Sequence, residues 1–280
     1  MKKIGFVDYY ISEWHANNYP QWFKEANEIL GLDYEVAYFW AEQDISPMDG
    51  VSSGEWAQKM GIAQVDTIEE LCEKSDVIVL LAPSTPEKHL EYAGQILPFK
   101  KRTYIDKTFA PDLETTKKIF ALAEEYGTPF FSTSALRYAE ELKEFSDVQN
   151  LVITGGGRLF EEYLIHNCEM AVALLKKRIV KVKTEKMGKQ YFCNAQTEEG
   201  NKIGIVFSQG MGYSITAENS KGELLHKDVT SSFFLNLIVD MLKFFETGDT
   251  PFDISETMEV MRLRSGLIEA VNLNGKWMEV

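Results

Sequence analysis

The stretch RLFEEYLIHNCEMAVALL, residues 158–175, places Glu162 four residues before His166 and Glu169 three after it. On a helix these spacings bring all three side chains to one face. An imidazole, with an unperturbed pKa of ~6.5, moves protons near neutral pH, and a neighbouring carboxylate fixes its tautomer and favours its charged form. Two plainer readings stay open: a solvated acid–histidine pair, or a Glu/His/Glu face that binds a metal. Lys107, in TYIDKTFAP, follows an apolar strand. A cation there could hold an oxygen as negative charge develops on it, although a lone lysine is most often a surface residue.

The elements that must carry these groups are legible as pattern. The first half alternates short apolar runs (KIGFV, YEVAYFW, DVIVLLAPS, RTYIDKT, PFFST) with helical segments (PQWFKEANEILG, TIEELCEKS, EKHLEYAGQIL, DLETTKKIFALAEEYG). Continuous Val/Ile/Leu strands between helices indicate a parallel sheet covered on both faces, so residues 1–134 are expected to be an α/β, Rossmann-like, doubly wound domain. After about Leu136 strands follow one another: IVKVKTEKM, KQYFCNAQT, NKIGIVFSQ and YSITAENS, with helices over 232–247 and 255–271. Residues 135–280 are therefore read as an α+β domain with an open antiparallel sheet, which a second copy of the chain would cover, making a homo-oligomer. A cleft between two such domains is the natural ligand site. The glycines at 155–157 lack a following Lys-Ser/Thr and are read as a close backbone approach rather than a phosphate cradle.

Several of these segments together resemble the glucose-fructose oxidoreductase and inositol dehydrogenase family (Gfo/Idh/MocA). The family's TPPxxH turn corresponds to Thr85, Pro86 and His89, and its strand ending in EKP to Asp106, Lys107 and Thr108. Its acid–histidine helix corresponds to Glu162, His166 and Glu169, and FETGDTPFDISETMEVMRLRSGLIEAVNLNGKWMEV resembles its C-terminal helices and last strand. The resemblance implies oxidation of a secondary alcohol of a sugar, cyclitol or related metabolite with NAD or NADP. His166 would be the base, Glu162 its orienting partner and Lys107 the oxygen-holding cation. Asp8, Tyr10, Ser12, Ser84, Thr85 and Asp106 would lie along the cofactor, and His15, Arg137, Tyr138 and Glu169 along the substrate. His89 is read as a first-turn helix residue.

One part of the family pattern is missing. No glycine occurs between Gly5 and Gly31, and Asp8, Tyr9 or Tyr10, and Ser12 or Glu13 stand where a dinucleotide-binding turn has its glycines. A carboxylate ~4 Å from a phosphate charge costs roughly 4 kcal/mol at an effective dielectric of ~20, against ~0.3–1 kcal/mol returned by a helix N-terminus. Either Asp8 points away or the usual pose is blocked. The second strand runs into Trp40 and Ala41 where a ribose-binding acid is expected, with Glu42 next. Tyr9, Tyr10, Trp14, His15, Asn17, Asn18, Tyr19 and Trp22 crowd the same loop, which suits a sugar or a flat ring, or else packing. Two further readings follow: a redox-inactive homologue that binds a sugar-type metabolite, or an enzyme that moves protons without hydride, as in an isomerase or lyase step.

Composition narrows the partners. A formal charge of −14 disfavours nucleic acid and anionic membrane surfaces. Cys72, Cys168 and Cys193 are far apart and lack metal-ligand spacing. MKKIGFVDYY lacks the apolar core of a signal peptide, and FFLNLIVDMLKFF is too short to span a bilayer, so a cytoplasmic protein is expected, the small carbohydrate-like partner being what the family resemblance implies.

Overall fold

The computed structural model describes residues 1–280. The chain runs through β1 (Lys2–Tyr10), α1 (Trp14–Leu30), β2 (Tyr34–Gln43), α2 (Ser53–Met60), β3 (Ala63–Gln64), α3 (Ile68–Lys74), β4 (Val77–Leu80), α4 (His89–Ile96), β5 (Thr103–Ile105), α5 (Leu113–Tyr126) and β6 (Phe130–Phe131). It continues with β7 (Val148–Gly155), α6 (Phe160–Leu175), β8 (Ile179–Met187), β9 (Gln190–Thr197), β10 (Lys202–Ser208), β11 (Ser214–Asn219), β12 (Leu224–Asp228), α7 (Phe234–Thr247), α8 (Ser255–Ala270) and β13 (Met278–Glu279). Two compact units result: residues 1–133 with 234–253, and residues 134–233 with 254–280. No helix is long and apolar enough to cross a membrane.

The first unit holds a six-stranded parallel sheet in the order β3-β2-β1-β4-β5-β6, the doubly wound arrangement expected from the sequence. Strand order reverses between β1 and β4, so the carboxyl ends of these strands flank a topological switch point where ligands of such folds collect. Strands β1 and β4 are buried on both sides, as their unbroken apolar runs require.

Sequence reading assigned residues 234–247 to the second half, but α7 belongs to the first unit. Its Leu237, Ile238, Met241, Leu242, Phe244 and Phe245 are buried. Phe244 meets Phe131 at 5.0 Å, and Arg102 donates to the carbonyls of Phe245 and Glu246 at the helix's last turn. An amphipathic helix is placed by where its apolar face finds cover, which local periodicity does not reveal.

The second unit holds a seven-stranded sheet in the order β12-β11-β7-β10-β9-β8-β13. It is mostly antiparallel, as expected, with one parallel pair, β7 with β10, that makes it a mixed sheet. The sequence reading had no strand at 148–155. That strand is followed by α6, and a crossover of this length permits parallel placement. β9 and β10 alternate buried and half-buried residues along their length, the pattern of a sheet with one face in the core.

The glycines at the end of β7 are required by space. A Cβ on Gly156 would lie 1.8 Å from the Ser208 carbonyl oxygen, one on Gly155 2.4 Å from the Tyr213 ring, and one on Gly157 2.0 Å from Tyr163. Because the first clash is with backbone, Gly156→Ala is expected to cost ~3 kcal/mol in urea unfolding. Gly212→Ala, where a Cβ meets nothing within 4 Å, serves as the silent control.

A second device holds the segment before α7. Glu141 accepts from the backbone N–H of Thr230 and of Ser231 and from the Ser231 hydroxyl. Burial opposes its ionisation, but these bonds outweigh it and hold the carboxyl at about 2, below its ordinary value of 4.5. A folded-state value below the unfolded one contributes stability above the unfolded pKa, which disappears as pH falls toward the folded value. Glu141→Gln is expected to lower urea stability at pH 7 by on the order of 2 kcal/mol after allowing for solvent screening. The gap to the unsubstituted protein should close between about pH 4.5 and pH 2; a gap independent of pH would refute the role.

Candidate active site

In the first unit the chemistry-bearing residues gather at the carboxyl ends of β1, β4 and β5. Asp8, paired in register with Ala41, is 1% exposed. Its Oδ1 accepts from the backbone N–H of Tyr9 at 2.7 Å and of Ala82 at 3.0 Å, bridging the ends of β1 and β4. Its Oδ2 is buried without a hydrogen-bond partner. Burial, and then the charge of Glu13, push its carboxyl well above the usual range. Asp8 therefore turns into the switch point.

The expected aromatic loop is instead the start of α1. The helix begins at Trp14 and carries Pro20 inside it, so the proline does not open the helix as sequence rules suggest. Trp22 stacks on Phe234 of α7 at 5.0 Å, with Trp14 4.7 Å from the same ring, so these rings pack within the first unit. Tyr9 and Tyr10 sit edge to face at the end of β1, half-buried.

Glu13 caps α1. Its carboxylate accepts from the backbone N–H of His15 at 2.8 Å and from that of Ala16. The His15 ring lies between two acids, with Nδ1 3.1 Å from Glu13 Oε2 and Nε2 3.7 Å from Asp106 Oδ2. Asp106 is 1% exposed and accepts from the Tyr104 hydroxyl at 2.9 Å. Ser12 donates to Asp49 at 2.7 Å. His15 and Ser12, expected to face substrate and cofactor, are both in contact with neighbouring carboxylates.

Ser84 is exposed and Thr85 half-buried in the turn after β4, with the Thr85 N–H bonded to the Ala82 carbonyl at 3.0 Å. His89 opens α4 and is fully buried. Its Nδ1 lies 3.0 Å from the Phe109 carbonyl oxygen and its Nε2 2.7 Å from that of Leu81, and burial lowers its pKa. It is structural, tying the β4–α4 turn to the segment after Lys107. Lys107 is half-buried, and its Nζ donates to the Pro83 carbonyl at 3.2 Å.

In the second unit α6 presents Glu162 and His166, both half-buried. Ser134 Oγ lies 2.7 Å from His166 Nδ1, which fixes the ring's orientation, and Glu162 pairs with Arg158 at 2.9 Å. Ser134 was not singled out from sequence. Its place in FFSTSALRY is its only signal, since the contact to α6 spans 32 residues. Arg137 and Glu169, expected to contact substrate, hold one another: Arg137 Nε meets Glu169 Oε1 at 2.5 Å and Nη1 meets Glu256 Oε2 at 2.6 Å. Burial works against the guanidinium, but the two carboxylates keep its pKa raised. Tyr138, half-buried, follows in the same short turn. No group of three or more His, Cys, Asp or Glu is arranged to hold a metal ion.

The fold, a doubly wound parallel sheet in one unit and a mixed sheet in the other, is shared with solved structures. Three solved structures share it over nearly the whole chain. A probable dehydrogenase from Thermotoga maritima matches at TM-score 0.80 and 14% identity, covering 99% of this chain and 98% of its own. GenD2 of gentamicin A biosynthesis, solved in complex with NAD, matches at TM-score 0.77 and 11% identity, with 100% and 97% covered. A myo-inositol dehydrogenase from Corynebacterium glutamicum ATCC 13032 matches at TM-score 0.73 and 14% identity, with 100% and 98% covered. No protein-family model and no curated protein matches the sequence.

The residues of the β1–α1 turn do not fit a pyrophosphate at the N-terminus of α1. The first-turn N–H groups that such a ligand uses are bonded to Glu13.

Proposed function

We propose that this chain is an oxidoreductase acting on a secondary alcohol of a sugar, cyclitol or related metabolite, with NAD or NADP as hydride acceptor. The observation that carries the reading is His166, held through Nδ1 by Ser134 on a helix of a fold shared end to end with dehydrogenases. His166 takes the hydroxyl proton, and Lys107 is the cation assigned to the oxygen as charge develops. Glu162, which pairs with Arg158 on the same helix, is assigned as its orienting partner. Acceptance of hydride is what the cofactor supplies. The test is incubation with a panel of cyclitols and sugars in the presence of NAD or NADP, read by the absorbance of the reduced nicotinamide. Turnover of one alcohol with either cofactor supports the reading, and no turnover across the panel counts against it.

A second reading, a redox-inactive protein that binds a sugar-type metabolite, is favoured by one observation: the self-capped turn at Glu13. Calorimetry showing metabolite binding unaffected by either nicotinamide cofactor would select it.

A further inference from the structure

We infer that Glu13 is an internal anion seated where a dinucleotide phosphate would bind at the N-terminus of α1, and that it is the residue that sets whether this turn admits one. The inference rests on the nicotinamide-dependent reading above and concerns how that cofactor is admitted.

Four observations carry it. The N–H groups of His15 and Ala16 are bonded to the Glu13 carboxylate and that of Asn17 to the Glu13 carbonyl oxygen, so these donors are already engaged. The Glu13 side chain is 7% exposed, and the His15 ring meets the same Oε2 that accepts the His15 N–H, with its Nε2 3.7 Å from Asp106. A serine hydroxyl, the other donor expected in such a turn, is bonded from Ser12 to Asp49. Finally, the surroundings are acidic. Asp8 and Asp106 are both 1% exposed, and Glu42 at the end of β2 is bound by Lys88 at 2.8 Å and Tyr92 at 2.7 Å. Lys88, the cation on this edge, also pairs with Glu91 at 3.0 Å.

A helix N-terminus favours any anion, whether it arrives as a ligand or is built into the chain. A carboxylate already in place competes for the same donors and repels the second anion, an effect of up to roughly a thousandfold in affinity when the charges are ~4 Å apart. Substituting a neutral residue at position 13 removes the repulsion, and a small one also vacates the space.

The experiment is titration of the full-length protein with NADH and NADPH by calorimetry, for the unsubstituted chain, Glu13→Gln and Glu13→Ser. Serine is itself a good helix cap, and glutamine keeps an acceptor oxygen, so both variants retain a capped α1. The expected result is binding at least roughly tenfold tighter for Glu13→Ser than for the unsubstituted chain, with Glu13→Gln in between. Micromolar binding by the unsubstituted chain, unchanged in both variants, would overturn the inference and leave the oxidoreductase reading standing. Absence of binding in all three folded proteins would overturn it too, and would remove the nicotinamide-dependent reading with it.

Discussion

His166→Ala is expected to lower turnover of the alcohol by about 10²- to 10⁴-fold, the usual contribution of a positioned general base, with thermal unfolding unchanged. The ring is half-buried on α6 and is not part of the apolar core, so its loss should leave the fold intact. Ser134→Ala separates orientation from chemistry. It removes the 2.7 Å contact at Nδ1, so kcat should fall less than in the alanine variant of the histidine, and the pH dependence of kcat/KM should shift. Undiminished turnover in His166→Ala would exclude the histidine as base. An unaltered pH profile in Ser134→Ala would mean that the serine only packs there.

The second large effect concerns stability. Arg137→Met strips the partner from two carboxylates whose side chains are 4% and 12% exposed, Glu169 and Glu256. Removing one member of a buried ion pair costs ~3–5 kcal/mol, because the remaining charge is left in a poorly solvating interior. Neutralising all three, as Arg137→Met with Glu169→Gln and Glu256→Gln, should restore much of that loss. Urea unfolding of the single and triple variants measures both. A single variant as stable as the unsubstituted chain would show that the cluster is solvated in solution and that its charges can serve a ligand, the role the sequence suggested for Arg137 and Glu169.

The same residues show what a sequence can and cannot reveal. The alternation of DVIVLLAPS and DLETTKKIFALAEEYG is a local property, and the parallel sheet of the first unit follows from it. The placing of Glu162 and His166 on one helix is also local, as is the close approach at 155–157, where three glycines precede a helix. Helix α2 was missed although Ser52 and Glu55 form a capping box and Gly61 ends the helix in the left-handed region. Other features depend on partners far along the chain: Ser134 against His166, Arg137 against Glu256, and α7 against the first unit. For Glu13, type and position were visible as a missing glycine. That its carboxylate folds back onto the His15 and Ala16 amides, rather than facing outward, is a matter of side-chain direction that spacing does not encode.

The return of α7 to the first unit has a consequence for how the gene could be cut or recombined. Residues 134–233 form an insertion between β6 and α7, so the polypeptide passes between units after residues 133, 233 and 253. A fragment ending at residue 133 would lack the helix that covers Phe131 and receives Arg102. The first unit is thus no detachable cassette, and a graft that exchanges the second unit must join at three seams.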